Sequence, residues 1–575
     1  MLDRFSCPRF YLPIALLLST SLLPTRADVK MPLIFGDHMV LQQNAKLPVW
    51  GQAEAGEKIT VTFAGQTGTT TAADDGSWQI DLPPVPVSDK SGSLTVTGKN
   101  TLTFQDVLVG DVWLASGQSN MEYGIRKKAY AEDIAQAEDP LLRLFFVPKT
   151  TSLTPLKDIK FDPASDSAGL TARWVLCTPE SLGKINGQGF AAAAYFFARD
   201  IRKLKGQPLG IIEASWGGTR AEAWTSVAGL KKDPLLDRYV KIQAKNTADA
   251  PALELTYAQR KAEYDVTIKK WNEEVGKPWD QAQKDWKNAV IQAQAAGQPS
   301  PPAPKPSRPR PSDVHTPDGG SPGPANLFNA MIAPLAPFAI KGVIWYQGEF
   351  NSGYDSGREY ATLFPRMITD WRERWGQGDF PFIFVQLPNF GTPATQPSET
   401  PGSWIWVRES QLKTLSLPNT AMVISIDIGD AFQLHPPDKL DVGHRLALAA
   451  RRLAYGEDIV ASGPLYDSMK IEGNKIRLTF KNGGGGLTLG TSPYVPEGSS
   501  PPPAPTELIG FGIAGEDQKF VWAKATLEGD TVVVSSDAIA APVSVRYDWA
   551  ECPKGNLYNK EGLPTSPFRT DTWDH

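Results

Sequence analysis

Cysteine and histidine are scarce in this chain of 575 residues, and their scarcity excludes several kinds of site. Beyond the first 27 residues only Cys177 and Cys552 remain, and two cysteines cannot build a disulfide framework or a four-thiolate metal site. They form either one bridge or two buried thiols. The sequence also lacks the HExxH and CxxC metal motifs and the GxxxxGK[ST] phosphate loop. We therefore expect neither a metal nor a cofactor.

A basic excess and long apolar runs are missing as well. The formal net charge of −5 gives no positively charged footprint for nucleic acid. No internal segment has the roughly 18 consecutive apolar residues that a membrane span requires. With 41% hydrophobic and 21% charged residues, the composition is typical of a soluble globular protein, and the length predicts several domains.

The first residues have the pattern of a secretory signal. Arg4 and Arg9 supply positive charge, residues 11–23 supply a short apolar stretch, and Ala27 is a small residue at a plausible cleavage position. A short N-terminal anchor helix is the alternative. We predict a signal peptide over residues 1–27 and a secreted or periplasmic protein with no membrane attachment after cleavage.

Three residue patterns divide the rest of the chain. Residues 28–106 alternate β-branched and polar residues between turns, which predicts a β-sandwich-like region, and residues 457–575 return to that texture. Between them, residues 107–456 alternate apolar runs with amphipathic helices, which predicts an α/β domain with a parallel sheet flanked by helices. A helical insertion, residues 230–325, interrupts this domain. We expect it to be an αα-hairpin followed by an extended Pro-rich return.

Small and polar residues follow the predicted strands at the ends where α/β sheets bind ligands. Ser119 lies in LASGQSNMEYG, where an apolar run gives way to a helix, so it is either an exposed nucleophile or a helix cap. Gly217 and Gly218 follow a second strand and leave N–H groups free to face an anion. Gln347 follows another strand. The neighbouring polar and aromatic side chains are the candidate substrate contacts: Gln118, Asn120, Trp216, Glu349 and Asn351.

Of the five histidines, His435 alone falls in a loop after a predicted α/β strand. The others lie in the N-terminal β region, the Pro-rich return, an amphipathic helix and the chain end: His38, His315, His444 and His575. A serine needs a nearby base to act as a nucleophile at neutral pH, and imidazole is the usual one. We therefore predict His435 as the base for Ser119, with an ordinary loop histidine as the alternative.

Several blocks in the chain carry a family resemblance: VWLASGQSNME, IIEASWGGTRAEAW, GVIWYQGEFN, DWRERWGQGDFPFIFVQLPNF, WVRESQ and HPPDKLDVGHRLALAA. In this order they resemble the SGNH hydrolase superfamily and, within it, the sialate O-acetylesterase-like carbohydrate esterases. PLIFGDHMVLQQNAKLPVWGQA resembles the family's N-terminal segment. The motif around Ser119 is not the G-x-S-x-G elbow of lipases, because Met121 occupies the place of the second glycine. The resemblance implies an SGNH-type parallel sheet.

The resemblance also implies a serine esterase mechanism. Ser119 would be the nucleophile, and His435 would take its proton and return it to the departing sugar hydroxyl. The oxyanion hole would combine the Ser119 N–H, an N–H of the Gly217–Gly218 pair and the Gln347 amide.

The third triad member departs from the family's pattern. Aspartate is often found three residues before the base histidine, or two residues before it in relatives, but Phe432 and Gln433 occupy these positions here. Asp430, five residues before His435, is the candidate that orients the imidazole. Gln433 or a residue from elsewhere is the alternative.

These inferences predict a carbohydrate O-acetylesterase whose partner is an acetylated carbohydrate, either a sialic acid or a plant hemicellulose such as acetylated xyloglucan or xylan. Two other functions stay open at this point. One is a glycoside hydrolase that uses paired carboxylates such as Glu349 and Asp430. The other is a non-catalytic carbohydrate-binding protein built from the β regions.

Overall fold

The structure is a computed structural model that describes residues 28–295, 298, 301–302, 304–311, 322–398, 403–495 and 503–573. The predicted signal peptide, His315 and His575 lie outside these residues. Within the described part of the chain, no helix is both long enough and apolar enough to cross a membrane.

The strands, in chain order, are β1 (Val40–Gln42), β2 (Leu47–Gln52), β3 (Lys58–Phe63), β4 (Gln66–Thr71), β5 (Ser77–Leu82), β6 (Ser88–Thr97), β7 (Thr101–Gly117), β8 (Asp139–Phe146), β9 (Trp174–Cys177), β10 (Leu209–Ser215), β11 (Gly342–Tyr346), β12 (Phe382–Val385), β13 (Thr420–Val423), β14 (Leu465–Glu472), β15 (Lys475–Lys481), β16 (Leu487–Leu489), β17 (Phe511–Ala514), β18 (Val521–Trp522), β19 (Lys524–Glu528), β20 (Thr531–Ser535), β21 (Ser544–Tyr547), β22 (Leu557–Asn559) and β23 (Phe568–Arg569). The α-helices are α1 (Ser119–Glu122), α2 (Ala131–Ala135), α3 (Pro179–Lys184), α4 (Ala192–Lys205), α5 (Val227–Leu230), α6 (Asp237–Trp271), α7 (Lys277–Ala295), α8 (Tyr354–Trp375), α9 (Ser403–Thr414) and α10 (Lys439–Leu453).

The central sheet has the strand order β13-β12-β11-β7-β10-β8-β9. Its neighbouring strands pair in parallel, except that β9 is antiparallel to β8. The six predicted apolar runs of the α/β region form β7, β8, β10, β11, β12 and β13. The prediction of a mixed α/β fold with a mostly parallel central sheet is therefore confirmed.

This sheet is buried on both faces, which explains why its strands are continuously apolar rather than alternating. Along β7, Val112 and Leu114 face one core, whereas Trp113 and Ala115 face the other. Residues of α8 pack in the first core, and residues of α4 and α10 pack in the second. Helix α4 stops at a glycine, because Gly206 follows its last residue with a left-handed φ of 67°.

The N-terminal β region is continuous with the central sheet. The first half of β7 pairs antiparallel with β6, and its second half pairs with β10 and β11. The predicted boundary after residue 106 thus falls inside a strand. It coincides with a change of direction, because Asp106 has a φ of 53° and accepts hydrogen bonds from His38 Nδ1 at 2.7 Å and Arg143 Nη1 at 2.5 Å.

The C-terminal residues form two four-stranded sheets, β14-β15-β20-β19 and β18-β17-β21-β23, and the strand pair β16-β22. Both four-stranded sheets contribute side chains to one hydrophobic core, which includes Leu478, Val532, Ile513 and Val545. The region therefore has the β texture that its sequence predicts.

The insertion is not the predicted αα-hairpin. Helix α6 runs into a π-helical segment, Asn272–Gly276, and then directly into α7, so the chain stays helical where a reversing loop was expected. The Pro-rich segment does return along this helix, as predicted. Three tryptophan side chains of the helix donate from indole Nε1 to main-chain carbonyls of the Pro-rich segment. The pairs are Trp271 with Arg308 at 3.2 Å, Trp279 with Pro304 at 3.2 Å and Trp286 with Pro301 at 2.8 Å.

The two cysteines beyond residue 27 do not form a bridge. Cys177 ends β9 and Cys552 lies in the C-terminal region, and both side chains are buried. Burial raises the pKa of the Cys177 thiol to about 12, so this group stays protonated at neutral pH.

Candidate active site

The carboxyl ends of three adjacent strands lie side by side at one edge of the central sheet. Gly117 at the end of β7 is in register with Ser215 of β10 and with Tyr346 of β11. The residues that follow these strands therefore emerge together, as expected for the ligand-binding edge of a parallel sheet.

The structure brings the predicted nucleophile and base into contact. Ser119 opens helix α1 directly after β7, and His435 lies in the loop before α10. The His435 Nε2 atom is 2.8 Å from Ser119 Oγ. Burial lowers the pKa of His435 below its usual 6.5; the nearby cations of Lys439 and Lys127 lower it further, and Glu122 opposes them. His435 is therefore neutral at pH 7 and able to accept the serine proton.

Asp430 does not take the orienting position that the sequence analysis assigned to it. Its carboxylate accepts hydrogen bonds from Phe432 N at 2.7 Å, Gln433 Nε2 at 3.1 Å and Tyr494 Oη at 3.0 Å. The carboxylate stabilises a local turn in its own loop. The Gln433 side-chain amide donates to this carboxylate. Within the described residues, no carboxylate hydrogen-bonds to His435.

The other two carboxylates of this loop are also engaged elsewhere. Asp427 receives a two-pronged contact from Arg445, at 2.6 and 2.8 Å. Asp438 caps α10 by accepting from Asp441 N at 3.0 Å. Both side chains therefore fix the loop and the start of α10.

One predicted oxyanion donor lies against the nucleophile. A side chain at Gly217 would place its Cβ only 3.1 Å from Ser119 Cβ, so glycine is needed for this close approach. The Gly217 N–H donates to Glu122 Oε2 at 2.5 Å, and Glu122 is paired with the Lys149 ammonium. Gly218 has the left-handed φ of 69° that turns the chain here. The sequence analysis missed Glu122, although it lies in the quoted motif three residues after Ser119.

Gln347 does not offer a free amide to an oxyanion, contrary to the prediction. Its Nε2 group donates to Thr219 O at 3.1 Å and to Asn351 Oδ1 at 2.7 Å, and its Oε1 accepts from Tyr360 Oη at 2.8 Å. Both Gln347 and Asn351 are fully buried. Asn351 Oδ1 also accepts from Ala221 N at 2.9 Å. These amides hold the glycine turn and its following segment in place, and they are not placed to bind substrate.

The remaining predicted substrate contacts divide into buried and accessible groups. Gln118 is buried and accepts from Phe350 N at 3.1 Å, so it supports the turn after β11. Asn120 and Glu349 are buried against each other, with Asn120 Nδ2 2.5 Å from Glu349 Oε1. Trp216 alone of the five is partly exposed.

An exposed aromatic that the sequence analysis missed lies beside this group. Phe350 is 51% exposed, and the Arg220 guanidinium lies 5.3 Å from its ring centre. Phe350 and Trp216 are therefore two aromatic side chains with exposed surface in the loops that follow β11 and β10. Among the residues that the structure describes, no group of three or more His, Cys, Asp or Glu could hold a metal ion.

Comparison with known proteins points in one direction. A family model described as a sialic acid-specific acetylesterase, a carbohydrate esterase, matches residues 321–452. The chain is similar to the sialate O-acetylesterase of Mus musculus, with 29% identity over 569 residues and 92% coverage of each protein. It is similar to the sialate O-acetylesterase of Homo sapiens, with 28% identity over 474 residues, 77% of this chain and 75% of that protein.

A solved structure is similar over nearly the whole chain. It is a carbohydrate acetylesterase from Xanthomonas citri, with a TM-score of 0.71 and 35% sequence identity. The match covers 95% of this chain and 100% of the other.

Proposed function

Since the chain belongs to the sialate O-acetylesterase-like carbohydrate esterases of the SGNH hydrolase superfamily, we propose that it removes acetyl groups from sugar hydroxyls through an acyl-enzyme on Ser119. The observation that carries the serine mechanism is the 2.8 Å contact between His435 Nε2 and Ser119 Oγ. Carbohydrate O-deacetylation is the activity in the names of the relatives.

The first half of the reaction transfers the acetyl group to the protein. Ser119 Oγ attacks the acetyl carbonyl while His435 Nε2 takes its proton, and a tetrahedral oxyanion forms. When this intermediate collapses, the bond to the sugar oxygen breaks, and His435 returns the proton to that oxygen. Deacetylated sugar leaves, and acetyl-Ser119 remains.

The second half releases acetate. A water molecule gives its proton to His435 as its oxygen attacks the acetyl carbonyl, and the resulting intermediate expels Ser119 Oγ, which recovers the proton. The lowered pKa of His435 supports this role, because the imidazole must be neutral at the start of each half-reaction.

The oxyanion is stabilised by main-chain donors. The proposed donors are the Ser119 N–H and the Gly217 N–H, which lies against Ser119. Gly217 N already holds a carboxylate oxygen of Glu122, so the peptide is oriented toward a negatively charged oxygen close to the nucleophile. Serving the oxyanion requires the Glu122 carboxylate to leave this N–H, which it occupies in the structure.

The proposed substrate is an O-acetylated sialic acid or an acetylated hemicellulose. The partly exposed Trp216 and the exposed Phe350 give a sugar ring two aromatic faces. No observation favours a glycoside hydrolase: the Asp430 carboxylate is bound by Phe432 N, Gln433 Nε2 and Tyr494 Oη, and Glu349 is buried against Asn120. These carboxylates do not form a facing acid–base pair.

The test is acetate release from O-acetylated sialic acid, acetylated xyloglucan and acetylated xylan by Ser119→Ala. We expect its turnover to fall by at least about 10³-fold while the protein stays folded. Ser116→Ala is the matched control, because Ser116 is buried in the same strand and donates to Ala214 O, away from His435. Near-normal esterase activity in Ser119→Ala would refute the serine mechanism.

We further propose that residues 1–27 export the protein, so that it meets its substrate outside the cytoplasm. The charged, apolar and small-residue order of this segment supports the proposal. Fractionation of cells that express the full chain, with N-terminal sequencing of the purified protein, tests it. A mature N-terminus near Asp28 is expected, and an uncleaved cytoplasmic chain would contradict it.

A further inference from the structure

Three polar side chains form a buried cluster directly behind Ser119 and His435. Asn120 comes from α1, Glu349 from the turn after β11, and Lys439 from the first residue of α10. Lys439 and Asn120 are fully buried, and Glu349 is 6% exposed. The proposed reaction gives these three side chains no role so far.

Asn120 connects the nucleophile to the loop that carries the base. It is the residue after Ser119, and its Nδ2 group donates to Leu434 O at 3.1 Å and to Glu349 Oε1 at 2.5 Å. Leu434 is the residue before His435. The Asn120 amide therefore links the residue after Ser119 to the residue before His435.

Lys439 holds the other side of the base. Its Nζ atom donates to Pro436 O at 2.5 Å and to Asn120 Oδ1 at 2.8 Å. Pro436 is the residue after His435. The ammonium group also lies over two aromatic rings, 4.9 Å from Tyr123 and 5.5 Å from Tyr346.

The carbonyl groups of Leu434 and Pro436, on either side of His435, thus accept hydrogen bonds from Asn120 and Lys439. These two side chains are also hydrogen-bonded to each other. An imidazole in a triad is usually held by a carboxylate on its second nitrogen. No carboxylate hydrogen-bonds to His435 in the described part of the chain, so another arrangement has to fix the ring.

We propose that Asn120 and Lys439 are positioning residues that fix His435 through the main-chain carbonyls of Leu434 and Pro436 and so hold Nε2 toward Ser119. The proposal rests on the proposed serine mechanism, which supplies the reason for holding the ring. Glu349 serves the pair by accepting from Asn120 and by placing a carboxylate near the buried ammonium.

The charges around the cluster predict a change in the pH dependence of activity that a purely structural role would not produce. Lys439 faces the Glu349 and Asp438 carboxylates, and burial lowers its pKa to about 7. When charged, Lys439 lowers the pKa of His435 together with Lys127, against Glu122. Removing the Lys439 charge must therefore raise the pKa of His435 and move the acidic limb of activity to higher pH.

The experiment compares Lys439→Met and Asn120→Asp with the wild type. Asn120→Asp keeps the shape and the acceptor for Lys439 but loses the donor to Leu434 O. Steady-state kinetics on acetylated xylan and 4-nitrophenyl acetate are measured across pH, per active site titrated with a fluorophosphonate. Arg372→Met is the matched control, because Arg372 is also buried and holds main-chain carbonyls of Phe380 and Asn419, far along the chain from the loop of His435.

We expect kcat to fall about 10²-fold in both variants with KM changed less than about threefold, as for a misplaced catalytic group. Lys439→Met should also move the acidic limb upward, and Lys439→Arg should recover part of kcat. If either folded variant keeps kcat within about threefold of wild type, or if Arg372→Met loses as much, the positioning role is wrong. Asn120→Asp keeps the proposal testable if Lys439→Met does not fold. Full activity in Ser119→Ala would instead refute the reaction itself.

Discussion

Replacing Gln347 distinguishes two roles for its side chain. If the amide only supports buried neighbours, the protein loses stability; if it binds the oxyanion, the protein loses activity. Gln347→Leu keeps most of the side-chain volume but removes every polar contact. Thr219 O loses the donor at 3.1 Å, and Tyr360 Oη loses the acceptor at 2.8 Å. Asn351 Oδ1 loses one of two donors, since Ala221 N remains. The substitution therefore leaves Thr219 O without this donor, and Tyr360 Oη keeps only its long contact to the main-chain oxygen of residue 347 at 3.5 Å.

The expected cost follows from that count. A buried donor or acceptor left unpaired costs about 1–3 kcal/mol, so Gln347→Leu should lower the free energy of unfolding by about 2–6 kcal/mol. The rate per folded molecule should fall by less than about tenfold, because the proposed oxyanion donors are main-chain N–H groups instead. A direct oxyanion donor would behave differently, with a loss of about 10²–10³ in kcat.

Gln386 provides the matched control for this experiment. It also follows directly on a central strand, is fully buried, and donates to Arg408 O at 3.2 Å and Ser566 Oγ at 2.9 Å. Urea denaturation and kcat per titrated active site are measured for Gln347→Leu and Gln386→Leu. Both should lose stability. A kcat loss of 10² or more with unchanged stability in Gln347→Leu alone would refute the structural role.

Three further outcomes are expected. Asp430→Asn should keep kcat within about threefold in acetate-release assays, because the carboxylate serves its own turn; a loss of two orders of magnitude would restore Asp430 as the orienting group. The pKa of His435 lies below 6.5, and its neutral form is the proposed base. We therefore expect kcat/KM to rise with pH with a midpoint below 6.5 and to be level at pH 7. A midpoint above 7 in a pH–rate profile would contradict this. Exhaustive chelation should leave activity unchanged, and loss on chelation that a divalent ion restores would show a metal mechanism.

The position of the site could be predicted because it depends on features that the sequence carries locally. Continuous apolar runs predict strands buried on both faces, and such strands pair in parallel with their carboxyl ends at one edge. Ser119 and Gly217 follow two such runs, so their proximity needed no long-range information beyond the fold class. The contact of Ser119 with His435 is consistent with that reasoning.

The use of each polar side chain could not be predicted in the same way. Gln347 and Asp430 both lie in strand-end loops, where polar residues are typical of ligand sites. Gln347 bonds to Thr219, 128 positions away, and Asp430 bonds to Tyr494, 64 positions away. Whether an amide or a carboxylate faces substrate or faces other protein groups depends on these distant partners.

The insertion shows a related limit. Gly276 and Pro278 lie between the two predicted helices, and both residue types usually interrupt a helix. The chain instead passes this point in a π-helical segment, Asn272–Gly276. A π-segment leaves some helical groups without their usual partner, so a proline just after it removes little. The indole of Trp271 then holds the returning Pro-rich segment by donating to Arg308 O.

The burial of Lys439 is not indicated by its local sequence, because a lysine at the start of an amphipathic helix is normally exposed. Its burial follows from groups that no single stretch contains: Glu349 from the turn after β11, Asn120 from α1 and two tyrosine rings. Lys439 and Glu349 are linked through Asn120, which accepts from Lys439 Nζ and donates to Glu349 Oε1. If the pair served stability alone, replacing both with apolar side chains of similar volume would be harmless to the reaction. Because Lys439 also holds Pro436 O, that double replacement should fold and still turn over slowly.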